Sequence, residues 1–404
     1  MKVAWVLPSF IEGSGGHRTM FQNINCLLSH GYECDVYIED NGDAKSADDL
    51  KKQVERFFGG CNCTYHLGFQ ISGEYDILFA TAWFTAKVVR DYPFAKRKAY
   101  FIQDFEALFN PMGDGYLLAC TSYCYGLSPI TIGKWLTHKM QTEYLSPSQY
   151  FDFCADHNVY HPINSVQKEA AICFIYQPDK PRRCSIIGIE ALGIVKYLRP
   201  HVKIYLYGSN VSGHIWFDHT NLGIISIEDC NTLYNKCTVG LCISSSNPSR
   251  IPFEMMAAGL PVVDLYLDNN LYDMPDSGVV LAHYTPESIA QALLDIIDHP
   301  EKAASLSQAG REYMKYRTLE YGYEQFYRAV DNLRHDRTIV NAPIEKIYNS
   351  PPVIADVIVQ NSIKADSYQR LTIPRKRLVD ILKHNRNLRK SRLLRTIWNL
   401  IKGN

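Results

Sequence analysis

The sequence predicts an α/β protein built from two facing domains, each a parallel, doubly wound sheet. Short, almost wholly apolar runs alternate with stretches of helical spacing, the pattern of strands covered by helices on both faces. That alternation stops at His161-Pro162 and then starts again. With 404 residues, 46% of them hydrophobic, the chain is also long enough to bury two cores.

Taken in order, residues 2–7, 34–38, 77–80, 99–103 and 129–132 read as buried strands of the first sheet. Met20, Ile24, Leu27 and Leu28 mark the apolar face of a helix between the first two. In the second half, strands are expected at 172–176, 203–207, 239–243 and 261–265, with helices at 184–198 and 286–298. A last helix is expected at 319–333. The expected organisation is a first domain at 1–162, a second at 163–335, a linker at 336–374 carrying Pro343, Pro351, Pro352 and Pro374, and a tail at 375–404. There is no internal repeat and no low-complexity tract.

The formal net charge of zero conceals a division. Residues 370–404 hold 11 Lys and Arg against one acid, Asp380, a net +10, which leaves 1–369 with 31 bases against 41 acids, a net −10. Leu393, Leu394, Ile397, Trp398 and Ile401 share one helical face ringed by Arg389, Arg392, Arg395 and Lys402, as in an interfacial helix. The expected partner is an anionic membrane surface rather than nucleic acid, at ~1 kcal/mol per base near the surface. A helix docked on the acidic body is the plain alternative. Apolar runs such as 75–84 are too short to span a bilayer, and residues 1–10 do not read as a signal peptide. The expected location is therefore the cytoplasm, peripheral on the inner face of the cell membrane. Twelve cysteines are scattered without zinc-site spacing and read as reduced thiols.

The densest signal is SSNPSRIPFEMMAAGLPVVD at 245–264: strand end, tight loop, short helix with Pro252 in its first turn, stop at Gly259, second strand. Ser249, Arg250 and Ile251 open that helix, where free N–H groups suit a diphosphate, and Glu254 lies one turn in, within reach of a ribose. This stretch resembles the nucleotide-binding half of the retaining, two-domain glycosyltransferases of family 4 (GT-B fold). Glu254 matches the second Glu of their motif, whereas Ser246 stands where the first should be. The variant NPSRIPxEMMAxGLPVV, with YFIQDFEALFNPMGDGY from Tyr100, is similar to a branch that includes dTDP-L-rhamnose-dependent rhamnosyltransferases of bacterial surface polysaccharides.

From the residues alone, Gly13-Ser14-Gly15-Gly16 is a loop after the first strand, with His17 and Arg18 opening a helix. It serves a ligand or a plain turn, and with Glu39 it also reads as a damaged dinucleotide fingerprint in which Arg18 replaces the third glycine. Gln103, Asp104 and Glu106 follow a buried strand and emerge at its end. Gln103 can hydrogen-bond a sugar hydroxyl but cannot shuttle a proton at neutral pH. Asp104 and Glu106 are either sugar and acceptor contacts, helix caps, or a metal-binding Asp-x-Asp pair.

The resemblance implies that Gly15, Gly16 and His17 line the cleft and that Lys180, Arg182 or Arg183 clamps the diphosphate. It further implies that Gly208 and Ile224 bring backbone close to phosphate and base. The implied reaction is glycosyl transfer with retention, in which the leaving diphosphate takes the acceptor's proton and no metal or other cofactor is needed. Its donor would be dTDP-L-rhamnose and its acceptor a saccharide, lipid-linked. A non-catalytic scaffold and a nicotinamide-dependent oxidoreductase are the alternatives.

Overall fold

The computed structural model describes residues 1–211, 215–337, 339 and 342–355. The expected tail at 375–404 and most of the expected linker lie outside them.

Seven strands form the first sheet: β1 (Lys2–Leu7), β2 (Glu33–Ile38), β3 (Thr64–Leu67), β4 (Tyr75–Ala80), β5 (Ala95–Ile102), β6 (Ser128–Ile132) and β7 (Gln149–Phe151). Their order is β3-β2-β1-β4-β5-β6-β7, every neighbour parallel. Parallel strands are covered on both faces, so they read as unbroken apolar runs: five of the six residues of β1 are buried. A second parallel sheet holds β8 (Ala171–Ile175), β9 (Lys203–Tyr207), β10 (Thr220–Asn221), β11 (Val239–Leu241), β12 (Val262–Leu265) and β13 (Val279–Ala282), in the order β10-β9-β8-β11-β12-β13. The expected α/β class with two doubly wound sheets is what the molecule has.

Helix Leu319–Arg334 returns to the first sheet. Its Phe326 is fully buried among Trp5, Phe101 and Phe151, at ring-centroid distances of 6.1, 5.6 and 5.9 Å. Burial of that ring contributes roughly 2–3 kcal/mol, and it ties the last described helix to the first strand. Phe153 stacks on Phe253 at 4.6 Å and joins the two halves through their cores.

The segment read as a linker is anchored where it is described. Ile347 N–H donates to Leu271 O, Val353 pairs with Ala282 at the edge of the second sheet, and Ala355 N–H donates to the Ser288 hydroxyl. Prolines forbid regular ladders there but not edge contacts. Among the described residues no helix is long and apolar enough to cross a membrane, and all twelve cysteines are unpaired.

Candidate functional site

In both sheets the strand order reverses at the middle, between β1 and β4 and between β8 and β11. Loops leaving the carboxyl ends of strands on either side of such a reversal diverge and open a crevice. The loops after β1, β5, β8 and β11 meet in that crevice. Gly16 lies against the Gln103 amide, so that an added Cβ would stand 3.7 Å from its Nε2. Asn247 Nδ2 donates to Gln103 O at 2.9 Å, and Arg182 Nε lies 3.8 Å from Asp104 Oδ2. Arg250 Nη1 donates to Thr19 Oγ1 and Gln22 Oε1, each at 2.9 Å. Gly16, Gln103, Asp104, Arg182, Ser246 and Arg250, dispersed in sequence, are therefore brought together.

The cationic wall is one 3-10 turn, Pro181–Arg183, preceded by Lys180. Burial lowers the pKa of Lys180 and Arg182, and the charge of Arg183 acts in the same direction on both. Arg183 Nη2 donates to the Ser249 hydroxyl at 3.1 Å, which holds its guanidinium at the start of helix Arg250–Ala257. Below it, Asp264 Oδ1 accepts from Ser244 N at 2.9 Å and Leu265 N at 2.7 Å. Burial pushes this carboxyl up to about 7. Asn269 Nδ2 also donates to Ser244 O, so Asn269 closes the turn.

Buried polar atoms normally find partners, and those that do not are worth explaining. Asp104 Oδ1, Arg183 Nε, Asn247 Oδ1 and Asp264 Oδ2 are buried without one, all within these meeting loops. Such a cluster fits a site whose remaining partners belong to a ligand.

Several sequence expectations need correction. The opening N–H groups of helix Arg250–Ala257 are not all free: Ser244 Oγ accepts from Ser249 N and Ser249 Oγ from Ile251 N, which leaves the Arg250 N–H without a partner among the described residues. Gly15 and Gly16 are already helical, in Gly15–Ser29, and only Gly13 has a positive φ (+72°) in that loop. Glu39, which a dinucleotide would need for its ribose, accepts from Ser9 N at 3.2 Å.

His17 does not face the cleft. It is buried between Phe10 and Phe58, both at 5.6 Å, with Nε2 3.3 Å from Pro8 O. Burial lowers its pKa to about 4 from the ordinary 6.5, so the neutral ring is the native form. The sign follows: the unfolded state gains the proton first as pH falls below 6.5, so stability is lost between about 6.5 and 4. Native protein is expected to lose about 2 kcal/mol from this group by pH 5. Urea titrations at pH 7.5 and 5 should show that extra loss in wild type and not in His17→Gln; equal pH dependence in both would refute the burial argument.

Glu106, expected to contact acceptor, instead accepts from Trp83 N at 2.5 Å and faces Tyr100. It caps the helix Trp83–Asp91, whose own N-cap, Ala82, has no side chain able to do so. Burial pushes it up to about 8. Asp104 pairs with Arg182 while Glu106 caps a helix, so the two do not act as an Asp-x-Asp pair, and no metal-holding group of three ligands occurs among the described residues.

Gly208, at φ +96°, sits at the crevice rim under Gln177, whose Nε2 donates to its carbonyl at 3.4 Å. Ile224 N–H is taken by Asn210 Oδ1 at 3.2 Å and its side chain is exposed. Glu254 is buried and acts electrostatically on Tyr160, Cys230 and Tyr234. Sequence reasoning missed Asn247 and Arg18. Arg18 acts on Tyr160 and Cys230 beside Glu254.

A family model described as the C-terminal domain of WsaF matches residues 170–294, most of the second sheet and its helices. The O-antigen biosynthesis protein RfbC of Myxococcus xanthus is 26% identical over 345 residues, 81% of this chain. The chain spans about a quarter (27%) of that relative's length. Among solved structures, sucrose-phosphate synthase of Thermosynechococcus elongatus superposes with a TM-score of 0.64 at 13% identity, covering 83% of this chain and 100% of that one. Alr3699/HepE of Anabaena, solved with UDP, gives 0.64 at 15% identity over 82% of this chain and 100% of its own. These likenesses place the fold in the GT-B class.

Proposed function

We propose that this chain is a retaining hexosyltransferase that moves L-rhamnose from dTDP-L-rhamnose to a growing, lipid-linked bacterial surface polysaccharide, with no metal ion. The observation that carries the reading is the crevice itself. Three cations, Lys180, Arg182 and Arg183, and the free Arg250 N–H stand on one wall, while Gln103 and Asp104 stand on the other. The role of the Myxococcus relative in O-antigen biosynthesis and the UDP bound to the Anabaena structure support a nucleotide-sugar site in such a pathway.

In this mechanism, negative charge builds on the diphosphate as its bond to the sugar breaks. Fixed cations and a helix N-terminus stabilise that charge without reorganising. The departing phosphate oxygen takes the acceptor hydroxyl's proton on the same face, which returns the product with the donor's configuration. Gln103 offers a hydrogen bond to the sugar, and Glu254 the acceptor for a ribose hydroxyl. The basic segment 375–404 supplies the membrane contact that a lipid-linked acceptor calls for.

Calorimetric titration with dTDP, UDP, GDP and NAD in EDTA tests the nucleotide. dTDP is expected to bind selectively and to lose at least tenfold in affinity in Glu254→Ala; preference for another nucleotide moves the donor, and NAD binding removes the reading. Turnover of dTDP-L-rhamnose but not UDP-glucose, with the product's anomeric configuration read by NMR, tests the reaction. Ser246 in place of a carboxylate favours one second reading, a scaffold that binds dTDP without turnover.

A further inference from the structure

We propose that Asp104 holds the place of the donor's diphosphate on Arg182, so that nucleotide binding exchanges one anion for another and releases the Asp104 carboxylate to the sugar side of the crevice. The inference rests on the nucleotide-sugar reading above.

Among the described residues, Arg182 is the cation of the turn that makes an ion pair across the crevice, while Arg183 acts on the same carboxylate from farther away. Arg182 Nε lies 3.8 Å from Asp104 Oδ2, a single loose contact rather than the bidentate fork that makes Arg–carboxylate pairs strong. Both side chains keep about a quarter of their surface in solvent, 27% for Arg182 and 22% for Asp104, so the pair is reachable and weakly held. Arg182 is held by other means, at its guanidinium and at its backbone. The guanidinium carbon lies 4.3 Å from the Phe109 ring centroid, and the Arg182 carbonyl accepts from Ser245 Oγ at 2.8 Å. Arg182 therefore stays in position when the carboxylate leaves.

The carboxylate, for its part, is only half used. Asp104 Oδ1 is buried without a partner at hydrogen-bond geometry, and the Ser246 hydroxyl of the second domain and the Phe105 N–H are the uncharged groups that favour its ionised form. Swung off Arg182, Asp104 presents two acceptor oxygens beside Gln103, where a sugar hydroxyl can donate to them. Binding is thus opposed by the anion that later serves the sugar.

The test is dTDP titration of wild type, Asp104→Asn, Arg182→Gln and the double variant, in EDTA at pH 7.5, with thermal melting as the control for folding. Asp104→Asn is expected to bind dTDP roughly three- to tenfold more tightly while turning donor over at least tenfold more slowly. Arg182→Gln should bind at least tenfold more weakly. In its background the Asp104→Asn gain should vanish, because a general charge effect would persist without Arg182 whereas displacement cannot. Unchanged or weaker binding by Asp104→Asn overturns the inference alone, as does a gain that survives in the double variant. Binding of dTDP by none of the four proteins overturns both this inference and the reading beneath it.

Discussion

Arg183→Ala is expected to lower donor turnover by two to three orders of magnitude with little change in melting temperature. Its guanidinium is held 3.1 Å from the Ser249 hydroxyl at the start of helix Arg250–Ala257, and its Nε is buried without a partner. A buried, unpaired guanidinium N–H is costly unless something arrives to use it. In the proposed reaction that is the diphosphate, whose charge grows as the glycosidic bond breaks. Removing one fixed donor to such a charge costs ~10²–10³ in turnover. Arg183→Lys keeps a charge but loses the planar fork, so it should recover only part of the rate. The measurement is kcat/KM with the preferred donor for all three proteins. Activity of Arg183→Ala within tenfold of wild type would remove Arg183 from the site.

How much of this was legible in the sequence depends on whether the cause is local. β1 and β9 run over Lys2–Leu7 and Lys203–Tyr207, the spans expected, because a strand buried on both faces announces itself as an apolar run. β3, β7 and β10, of four, three and two residues, mix in polar side chains and lack that signal, whereas β13 (Val279–Ala282) is apolar and buried throughout and was missed although it carried it. The loops after β8 and β11 were legible as site segments since each follows a strand and opens a helix. Their partners across the crevice were not. Nothing near Asn247 says that it will donate to Gln103 O, or near Arg250 that it will reach Thr19 and Gln22.

His17 shows a different failure, because its signal was present. It precedes Met20, Phe21 and Ile24 by three, four and seven residues, the spacing of a helix's buried face, and that periodicity outweighs its position beside a glycine loop. Glu106 was ambiguous for a physical reason: an acid after a strand can face a ligand or cap a neighbouring helix, and which one depends on where Trp83 lies.

Asp273→Ala is expected to destabilise the protein by about 2–4 kcal/mol and to weaken nucleotide-sugar turnover with it. Helix Lys134–Glu143 of the first half starts at Gly133, which has no side chain to cap it. Gly133 cannot be replaced, since at φ +83° an added Cβ would stand 2.4 Å from the Phe153 ring and 2.9 Å from Asp273 Oδ2. The cap comes instead from the second half. Asp273 Oδ1 accepts from Lys134 N at 2.8 Å and Oδ2 from Trp135 N at 3.1 Å, in a buried setting. Truncation leaves two helix N–H groups without partners, one of them on buried Trp135. Burial pushes the Asp273 carboxyl up to about 6, so its charged form is held at a cost, and Asp273→Asn, which keeps one acceptor, should lose less than the alanine variant. The same contact sets how the halves meet. Loosening it lets Gln103 and Asp104 drift from Asn247 and Arg182, so donor affinity should fall in step with stability. Urea midpoints and dTDP titrations on the three proteins measure both. An unchanged midpoint refutes the capping role, and a lowered midpoint with unchanged dTDP affinity separates the interdomain cap from the crevice.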